Sequence, residues 1–179
     1  IDPYESGSYS GAINYKPIRI EADYVLTTTP GRPDHAFTQD IKGTPKVIAE
    51  AGTHRINGLK IFGEPDFSDR SGDAVQGKVT VFVLDFGEYR VCHLGNLGHL
   101  LTDEKVKRIG RVDILMVPVG GFFTLGVPEV EDVVAKLKPK LIFPMHVQNE
   151  ACLFQIDPVD RFLLGKKNVR VLASSEYVV

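Results

Sequence analysis

The sequence is short of the features that mark several large classes of protein. It has two cysteines, no tryptophan and no apolar run of the roughly 18 residues that a membrane span needs. Its 21 Lys and Arg residues are nearly matched by 23 Asp and Glu residues, which leaves a formal net charge of -2. These shortages argue against a disulfide scaffold, a membrane-spanning protein and a protein that binds nucleic acid through its charge.

The cysteines and the chain length indicate where the protein works and how it is organised. Cys92 and Cys152 both lie among apolar residues, where a buried free thiol is the expected state. Free thiols are typical of a reducing compartment, so we expect a cytoplasmic protein. A chain of 179 residues is long enough for one core and short for two, which predicts a single domain over residues 1–179.

Hydrophobic patterning predicts β-hairpins first and alternating strands and helices afterwards. The Asn57-Gly58 pair predicts one hairpin, and a second is predicted over residues 79–93. Thr102 caps a predicted helix that ends at Gly110, and Pro128 begins another helix. Further strands are predicted at residues 22–29, 44–49, 112–117, 141–143 and 168–172, and loops at residues 5–11 and 64–77. The helix between the third and fourth of these strands makes that pair parallel, so the fold class is mixed α/β.

An acid and two imidazoles follow two of the predicted strands. Asp34 and His35 come after the β-branched segment 24–29, and His146 closes the apolar segment 141–145. Residues at strand ends in α/β proteins face the clefts where ligands bind. One carboxylate and two imidazoles can hold a divalent metal. The sequence therefore predicts Asp34, His35 and His146 as metal ligands.

Five short segments together resemble the metallo-β-lactamase-fold hydrolases. They are Ile1-Asp2-Pro3, Pro33-Asp34-His35, residues 92–99 (Cys-His-Leu-Gly-Asn-Leu-Gly-His), residues 117–121 (Val-Pro-Val-Gly-Gly) and Pro144-Met145-His146. The nearest group is the small prokaryotic metal-dependent hydrolases related to ascorbate-phosphate lactonases. The resemblance implies an αββα sandwich with its metal site at one edge of two packed sheets. Family members begin one or two strands before the Asp-Pro element, which implies either residues upstream of Ile1 or a fold without its first strands.

The resemblance also implies that most of the metal ligands have been replaced. The family holds one or two metals, usually zinc, through a His-x-His-x-Asp-His segment, a later His, a bridging Asp and a final His. The two leading His positions are Pro30 and Arg32 here, the later His position is Ser68, and the bridging Asp position is Asn96. Proline, guanidinium and a serine hydroxyl are poor zinc ligands, and an amide offers only a neutral oxygen. The three ligands predicted above are the ones that match.

These departures leave two hypotheses about function. In the first, the chain is a degenerate family member that cannot hold a dinuclear zinc centre and binds a small-molecule ligand or a partner. In the second, it is a single-metal hydrolase in which Asp34, His35 and His146 activate water, with Asp34 or a water network as the base. The cofactor is accordingly none, or one zinc or manganese ion at a weakened site. The substrate stays open because the family acts on lactams, thioesters, lactones and phosphodiesters with one scaffold.

Several neighbours of the predicted site have expected roles. The permanent charge of Arg32 is expected to stand where a metal would have stood, near Asp34 and Asp69. His99 is a candidate for the pocket lining, whereas His93 is more typical of a hydrogen-bonded structural histidine. Asp2 matches a family aspartate that supports the metal loop.

The remaining expectations concern the pocket wall and the partners. Phe122 and Phe123 are candidates for the pocket wall. No nucleic-acid or membrane partner is indicated, and a homo-oligomer is compatible with a chain that completes its sheets with another polypeptide.

Overall fold

Eight strands and four helices follow one another in the computed structural model, which describes residues 1–67, 77–174 and 177–178. The strands are β1 Tyr24–Leu26, β2 Lys46–Ile48, β3 Gly52–Ile56, β4 Leu59–Phe67, β5 Lys78–Asp85, β6 Arg90–His93, β7 Ile114–Pro118 and β8 Leu141–Met145. The helices are α1 Ser8–Gly11, α2 Asp103–Ile109, α3 Val127–Leu137 and α4 Val159–Leu163. The elements are mixed along the chain, which confirms the predicted α/β class.

Six of the strands form one sheet in the order β3-β4-β5-β6-β7-β8. The pairs from β3 to β6 are antiparallel, and β6-β7 and β7-β8 are parallel. β1 and β2 form a separate parallel pair. Asn57 and Gly58, with φ of 48° and 89°, connect β3 to β4. Both turn residues have the left-handed backbone that a tight hairpin turn needs, so the predicted hairpin is confirmed.

Local signals in the sequence set the bounds of two of the helices that pack on the sheet. The Thr102 hydroxyl accepts a hydrogen bond from the Lys105 amide at the start of α2, and Gly110 with φ of 70° ends it. α3 carries Val130, Val133 and Leu137 on its buried face and crosses over between β7 and β8. That crossover is the reason β7 and β8 run parallel, as predicted.

The core is divided by β5, whose side chains alternate between two faces of the sheet. Val79, Val81 and Val83 belong to a large cluster that also contains the buried faces of α2 and α3. Phe82 points the other way and packs with Leu26 of β1. The large sheet is therefore covered by helices on one face and by the β1 layer on the other. This layering brings the end of β1 to the edge where the site lies.

Three of the predicted elements differ from the structure. Residues 168–172 form no strand, and Val171 is 89% exposed, so the prediction there is wrong. Residues 64–67, predicted as the start of a loop, continue β4 in register with β5. The segment 5–11 contains α1, but Tyr9 and Ser10 have left-handed backbone and the turn is irregular. Residues 68–76 lie outside the described part of the chain.

Within the described residues, both cysteines are buried and free. No helix in the same part of the chain is long and apolar enough to cross a bilayer.

Candidate functional site

The imidazole of His35 lies between two carboxylates. Its Nδ1 is 3.1 Å from Oδ2 of Asp2, and its Nε2 is 3.2 Å from Oδ2 of Asp34. The three side chains are only about one-tenth exposed. A turn after β1 places His35, because the amides of His35 and Ala36 both donate to the carbonyl oxygen of Arg32. Two ion pairs therefore meet on one buried ring.

Asp2 is fixed by the chain that follows β1. Its Oδ1 accepts a hydrogen bond from the Thr28 amide and its Oδ2 accepts one from the Thr28 hydroxyl, both at 2.6 Å. The Asp2 amide donates to the carbonyl oxygen of Leu26 at 2.9 Å. The first residues of the chain are thus attached to the end of β1, and the carboxylate supports His35 from behind.

Arg32 covers Asp34 from the solvent side. Its Nε lies 3.3 Å from Oδ1 of Asp34, and the same oxygen accepts a hydrogen bond of 2.7 Å from the Tyr9 hydroxyl. Nη2 of Arg32 also lies 3.5 Å from that hydroxyl oxygen. The Arg32 side chain is 42% exposed, whereas that of Asp34 is 12% exposed. A guanidinium therefore stands beside Asp34, as expected from the sequence; Asp69 lies outside the described residues.

The pairing keeps all four groups of this network charged. Burial works to lower the pKa of His35, but Asp2 and Asp34 outweigh it and raise that pKa to about 9. Burial works to raise the pKa of Asp34, and contacts with His35, Tyr9 and Arg32 hold it well below its usual range. The pKa of Asp2 is lowered in the same way, against burial, by His35 and Thr28. Two anions and two cations balance within the site.

Two further histidines near the network are neutral. Burial lowers the pKa of His93 and of His146 to about 4, and the positive charge of His35 acts in the same direction on both. Nδ1 of His93 accepts a hydrogen bond from the Gly95 amide at 3.1 Å, which gives it the structural role predicted. Nδ1 of His146 is buried, and no hydrogen bond ties it to another described residue.

The structure places some of the predicted site residues in direct contact with one another and others only nearby. Asp34, His35 and Arg32 are in direct contact, and His146 is close enough for its pKa to respond to all three. Asn96 is buried in the turn after β6. The His99 ring packs edge-on against Phe67 with centroids 6.3 Å apart, and Ser68 lies outside the described residues.

Two residues of the site were missed from the sequence. Tyr9 lies in a Gly/Ser-rich segment that carries no signal for a site, yet its hydroxyl reaches Asp34. Phe154 packs against Tyr9 with ring centroids 5.3 Å apart, and nothing in its own segment pointed to that contact.

Backbone strain is concentrated around this network. Among the non-glycine residues that the structure describes with positive φ, five lie in segments that build the site: Asp2, Tyr9, Ser10, Phe122 and His146. The other two, Asn57 and Lys138, occupy a hairpin turn and a helix end, where such backbone is ordinary. Each strained residue costs of the order of 1–3 kcal/mol, and strain of this kind is typical of functional sites.

The donors in the described residues do not fit a metal ion as they stand. Both nitrogens of His35 face carboxylates, and the guanidinium of Arg32, which has no lone pair to give to a metal, lies 3.3 Å from Asp34. Across residues 1–67, 77–174 and 177–178, no group of three His, Cys, Asp or Glu side chains is placed to hold one. The assignment of Asp34, His35 and His146 as ligands therefore stays a prediction.

Known proteins match this chain over most of its length. The family model described as a beta-lactamase superfamily domain matches residues 1–146. The chain belongs to the metallo-β-lactamase superfamily. Its resemblance to the metal-dependent hydrolases of that superfamily, predicted from the five segments, is confirmed by individual relatives.

Three of these relatives match this chain over nearly the same span. A metal-dependent hydrolase of Thermoplasma acidophilum is 35% identical over 185 residues, which cover 90% of this chain and 80% of that protein. A metal-dependent hydrolase of Archaeoglobus fulgidus is 25% identical over 188 residues, which cover 89% and 80%. A crystal structure from Thermotoga maritima, described provisionally as a Zn-dependent hydrolase of the superfamily, has a TM-score of 0.72 and 36% identity and covers 90% of this chain and 73% of that one.

Proposed function

We propose that this member of the superfamily has exchanged its metal centre for an ion-pair network and binds a small-molecule ligand there without metal-dependent hydrolysis. The network consists of Asp2, His35, Asp34 and Arg32. The observation that carries the proposal is the position of the His35 ring, which has a carboxylate on each nitrogen. A histidine that ligates a metal must give one of those nitrogens to the ion.

The charge of Arg32 opposes a metal ion at the same place. A guanidinium keeps its proton at any physiological pH and cannot become a ligand. Its Nε lies 3.3 Å from Asp34, so a divalent cation on that carboxylate would stand beside a fixed positive charge. Binding a metal would require Arg32 to move away and His35 to lose a proton.

The network also neutralises the buried carboxylates, which a bound metal ion would otherwise do. Buried carboxylates need a counter-charge, and Asp2 and Asp34 have one in His35 and Arg32. Hydrolysis in the superfamily depends on water made acidic by a bound metal, which is the chemistry that the ion supplies when it is held. No group of the network replaces that function, which supports binding rather than turnover.

One observation favours the alternative, a hydrolase with a single metal held by Asp34, His35 and His146. Burial keeps His146 neutral, and its Nδ1 is tied to no other described residue, so its imidazole is in the protonation state that a metal needs. The two candidates differ in the number of metal ions bound per chain.

Metal content decides between the two candidates. The chain is purified with zinc or manganese present, separated from loosely held ions by gel filtration, and assayed by inductively coupled plasma mass spectrometry. The proposal expects far less than one ion per chain. A stoichiometry near one would overturn it and support the single-metal hydrolase.

Restoring the family's donors provides the matched control. A variant carrying Pro30→His, Arg32→His, Ser68→His and Asn96→Asp is expected to retain zinc and acts as the positive control. Arg32→His alone is expected to retain none, because the other replaced positions still lack donors. Zinc retention by this single variant at one ion per chain would contradict the proposal.

A further inference from the structure

Four aromatic side chains form a continuous surface next to the ion-pair network. We call this surface the aromatic ridge: Tyr9, Phe154, Phe123 and Phe122. Successive ring centroids are separated by 5.3 Å, 6.1 Å and 4.6 Å, and each pair is arranged edge to face. Phe122 is 73% exposed and Phe123 is 47% exposed. Large apolar side chains that lie together and are exposed to solvent mark binding surfaces.

The backbone holds one of these rings outward at an energetic cost. Phe122 has φ of 57°, a left-handed conformation that bulky residues rarely adopt. The ring gains little from burial within the chain, so its own packing does not offset this strain. Strained backbone that persists without a packing reason points to a role for the side chain it displays.

Tyr9 connects the ridge to the network. Its ring packs on Phe154, while its hydroxyl donates to Asp34 and lies 3.5 Å from Nη2 of Arg32. The apolar surface and the guanidinium are therefore two ends of one continuous stretch of surface. A ligand in contact with Tyr9 and Phe154, at this end of the ridge, has Arg32 within reach.

The charge that this stretch presents to solvent is positive, although the network as a whole is balanced. The two carboxylates are about one-tenth exposed and each is already paired, whereas the Arg32 side chain is 42% exposed. Nε of Arg32 faces Asp34 and Nη2 faces Tyr9, which leaves further N–H groups of the guanidinium for another acceptor. The solvent-facing side of the network can therefore bind an anion.

We infer that Arg32 and the aromatic ridge form one binding site for a small aromatic carboxylate. The carboxylate takes the free N–H groups of the guanidinium, whose fork matches that group, and the ring packs against Tyr9 and Phe154, the end of the ridge nearest Arg32. The inference rests on the proposed function, since a metal ion at Asp34 would displace Arg32. Four rings with one guanidinium at their Tyr9 end suit a small molecule better than a protein partner, which needs about 800 Å² on each side.

The test uses 4-fluorobenzoate as the probe and follows its fluorine NMR signal during titration of the full chain. Two further probes each lack one feature: 4-fluorobenzyl alcohol has no charge, and acetate, followed by competition, has no ring. We expect 4-fluorobenzoate to bind about tenfold more tightly than either, because both ends of the site contribute.

Two substitutions and two matched controls assign the binding to this place. Phe154→Leu removes the aromatic ring next to Tyr9 and keeps an apolar side chain, so the variant is expected to fold, and Arg32→Lys keeps the charge but loses the fork. Each is expected to weaken 4-fluorobenzoate binding about fivefold or more. Phe86→Leu, at an exposed phenylalanine outside the ridge, and Arg19→Lys, at another exposed arginine, are expected to leave it unchanged.

Several results would overturn the inference. They are equal binding by Phe154→Leu and the unaltered chain, binding of the alcohol as tight as that of the acid, and self-association of the chain that Phe122→Asn abolishes, which would make the ridge an interface between copies. The metal assay distinguishes this failure from that of the proposed function. One zinc per chain overturns the proposed function, on which this inference rests, and a metal-free chain that does not bind the probe overturns only this inference.

Discussion

Gly120 and His146 approach each other so closely that only a glycine fits. A Cβ atom on Gly120 would lie 2.1 Å from the carbonyl oxygen of His146. The contact joins the segment after β7 to the residue after β8, and the amide of Val119 donates to the carbonyl oxygen of Met145 beside it. Backbone proximity, and not left-handed φ, is the reason for glycine here.

Gly120→Ala is expected to lower the free energy of unfolding by about 3 kcal/mol or more, because a backbone oxygen must move to admit the methyl group. Gly87→Ala is the control. Gly87 has positive φ, unlike Gly120, but meets nothing within 4 Å, so about 1 kcal/mol is expected there. Urea unfolding monitored by circular dichroism gives both values. Similar losses in the two variants would show that the close approach does not constrain the fold.

Asp2→Ala is expected to destabilise the fold by about 3 kcal/mol, because it leaves the buried His35 charge with one partner fewer and two Thr28 donors without an acceptor. Asp2→Asn loses the charge and one of the two acceptor oxygens but keeps the other oxygen for Thr28, so its cost should be smaller than that of Asp2→Ala. Asp23→Ala, at an exposed aspartate, is expected to stay within about 0.5 kcal/mol of the unaltered chain. Chemical denaturation at neutral pH measures all three. An Asp2→Ala variant as stable as Asp23→Ala would remove Asp2 from the network.

The free energy of unfolding is expected to decrease at acidic pH because the folded chain keeps His93 neutral. Burial lowers its pKa to about 4 from an ordinary 6.5. Between these values the unfolded chain takes up a proton that the folded chain does not, so the free energy of unfolding decreases as the pH falls. The contribution of one such group is at most about 1.4 kcal/mol per pH unit.

The variant His93→Gln isolates this contribution. Gln can still accept the hydrogen bond from the Gly95 amide but does not titrate. Unfolding free energies measured from pH 7 to pH 4.5 should decline less steeply for the variant than for the unaltered chain. Parallel curves would mean that His93 is protonated in the fold.

Arg32→Ala is expected to lower the melting temperature by about 2–4 °C, since the half-exposed ion pair with Asp34 is worth about 1 kcal/mol. Arg32→Lys should recover part of the loss through its charge. Arg19→Ala, at an exposed arginine, should leave the melting temperature unchanged. Thermal unfolding by circular dichroism compares the three. No shift in Arg32→Ala would show that Asp34 does not depend on the guanidinium.

The elements that were predicted correctly are those set by neighbours in sequence. Asn57-Gly58 turns a hairpin because of its own backbone preferences, and Thr102 and Gly110 bound α2 through contacts within a few residues. The strand predicted at residues 168–172 failed for the opposite reason. Alternating apolar residues make a strand only where another strand offers its edge, and no such pairing exists in the described part of the chain.

Long-range charge pairing explains why the extent of β4 was predicted too short. Glu64 and Asp66 look like loop residues in the sequence, but both are buried. Arg108 of α2 pairs with Glu64, and Lys105 of the same helix pairs with Asp66 at 2.8 Å. A carboxylate can occupy a buried strand position once a cation from another element reaches it. Hydrophobic periodicity gives no sign of such partners.

The amino-acid sequence by itself determined which donors this site possesses. Pro30 and Arg32 occupy the positions at which the resemblance implies two imidazoles, and neither side chain can bind a metal whatever the fold around it. Only the tertiary structure decided what the remaining groups do with one another. Asp2 and Asp34 reach opposite nitrogens of one ring because β1 brings the first residues of the chain beside the turn that follows it. A contact between residues so far apart in the chain depends on packing and leaves no periodic trace in the sequence.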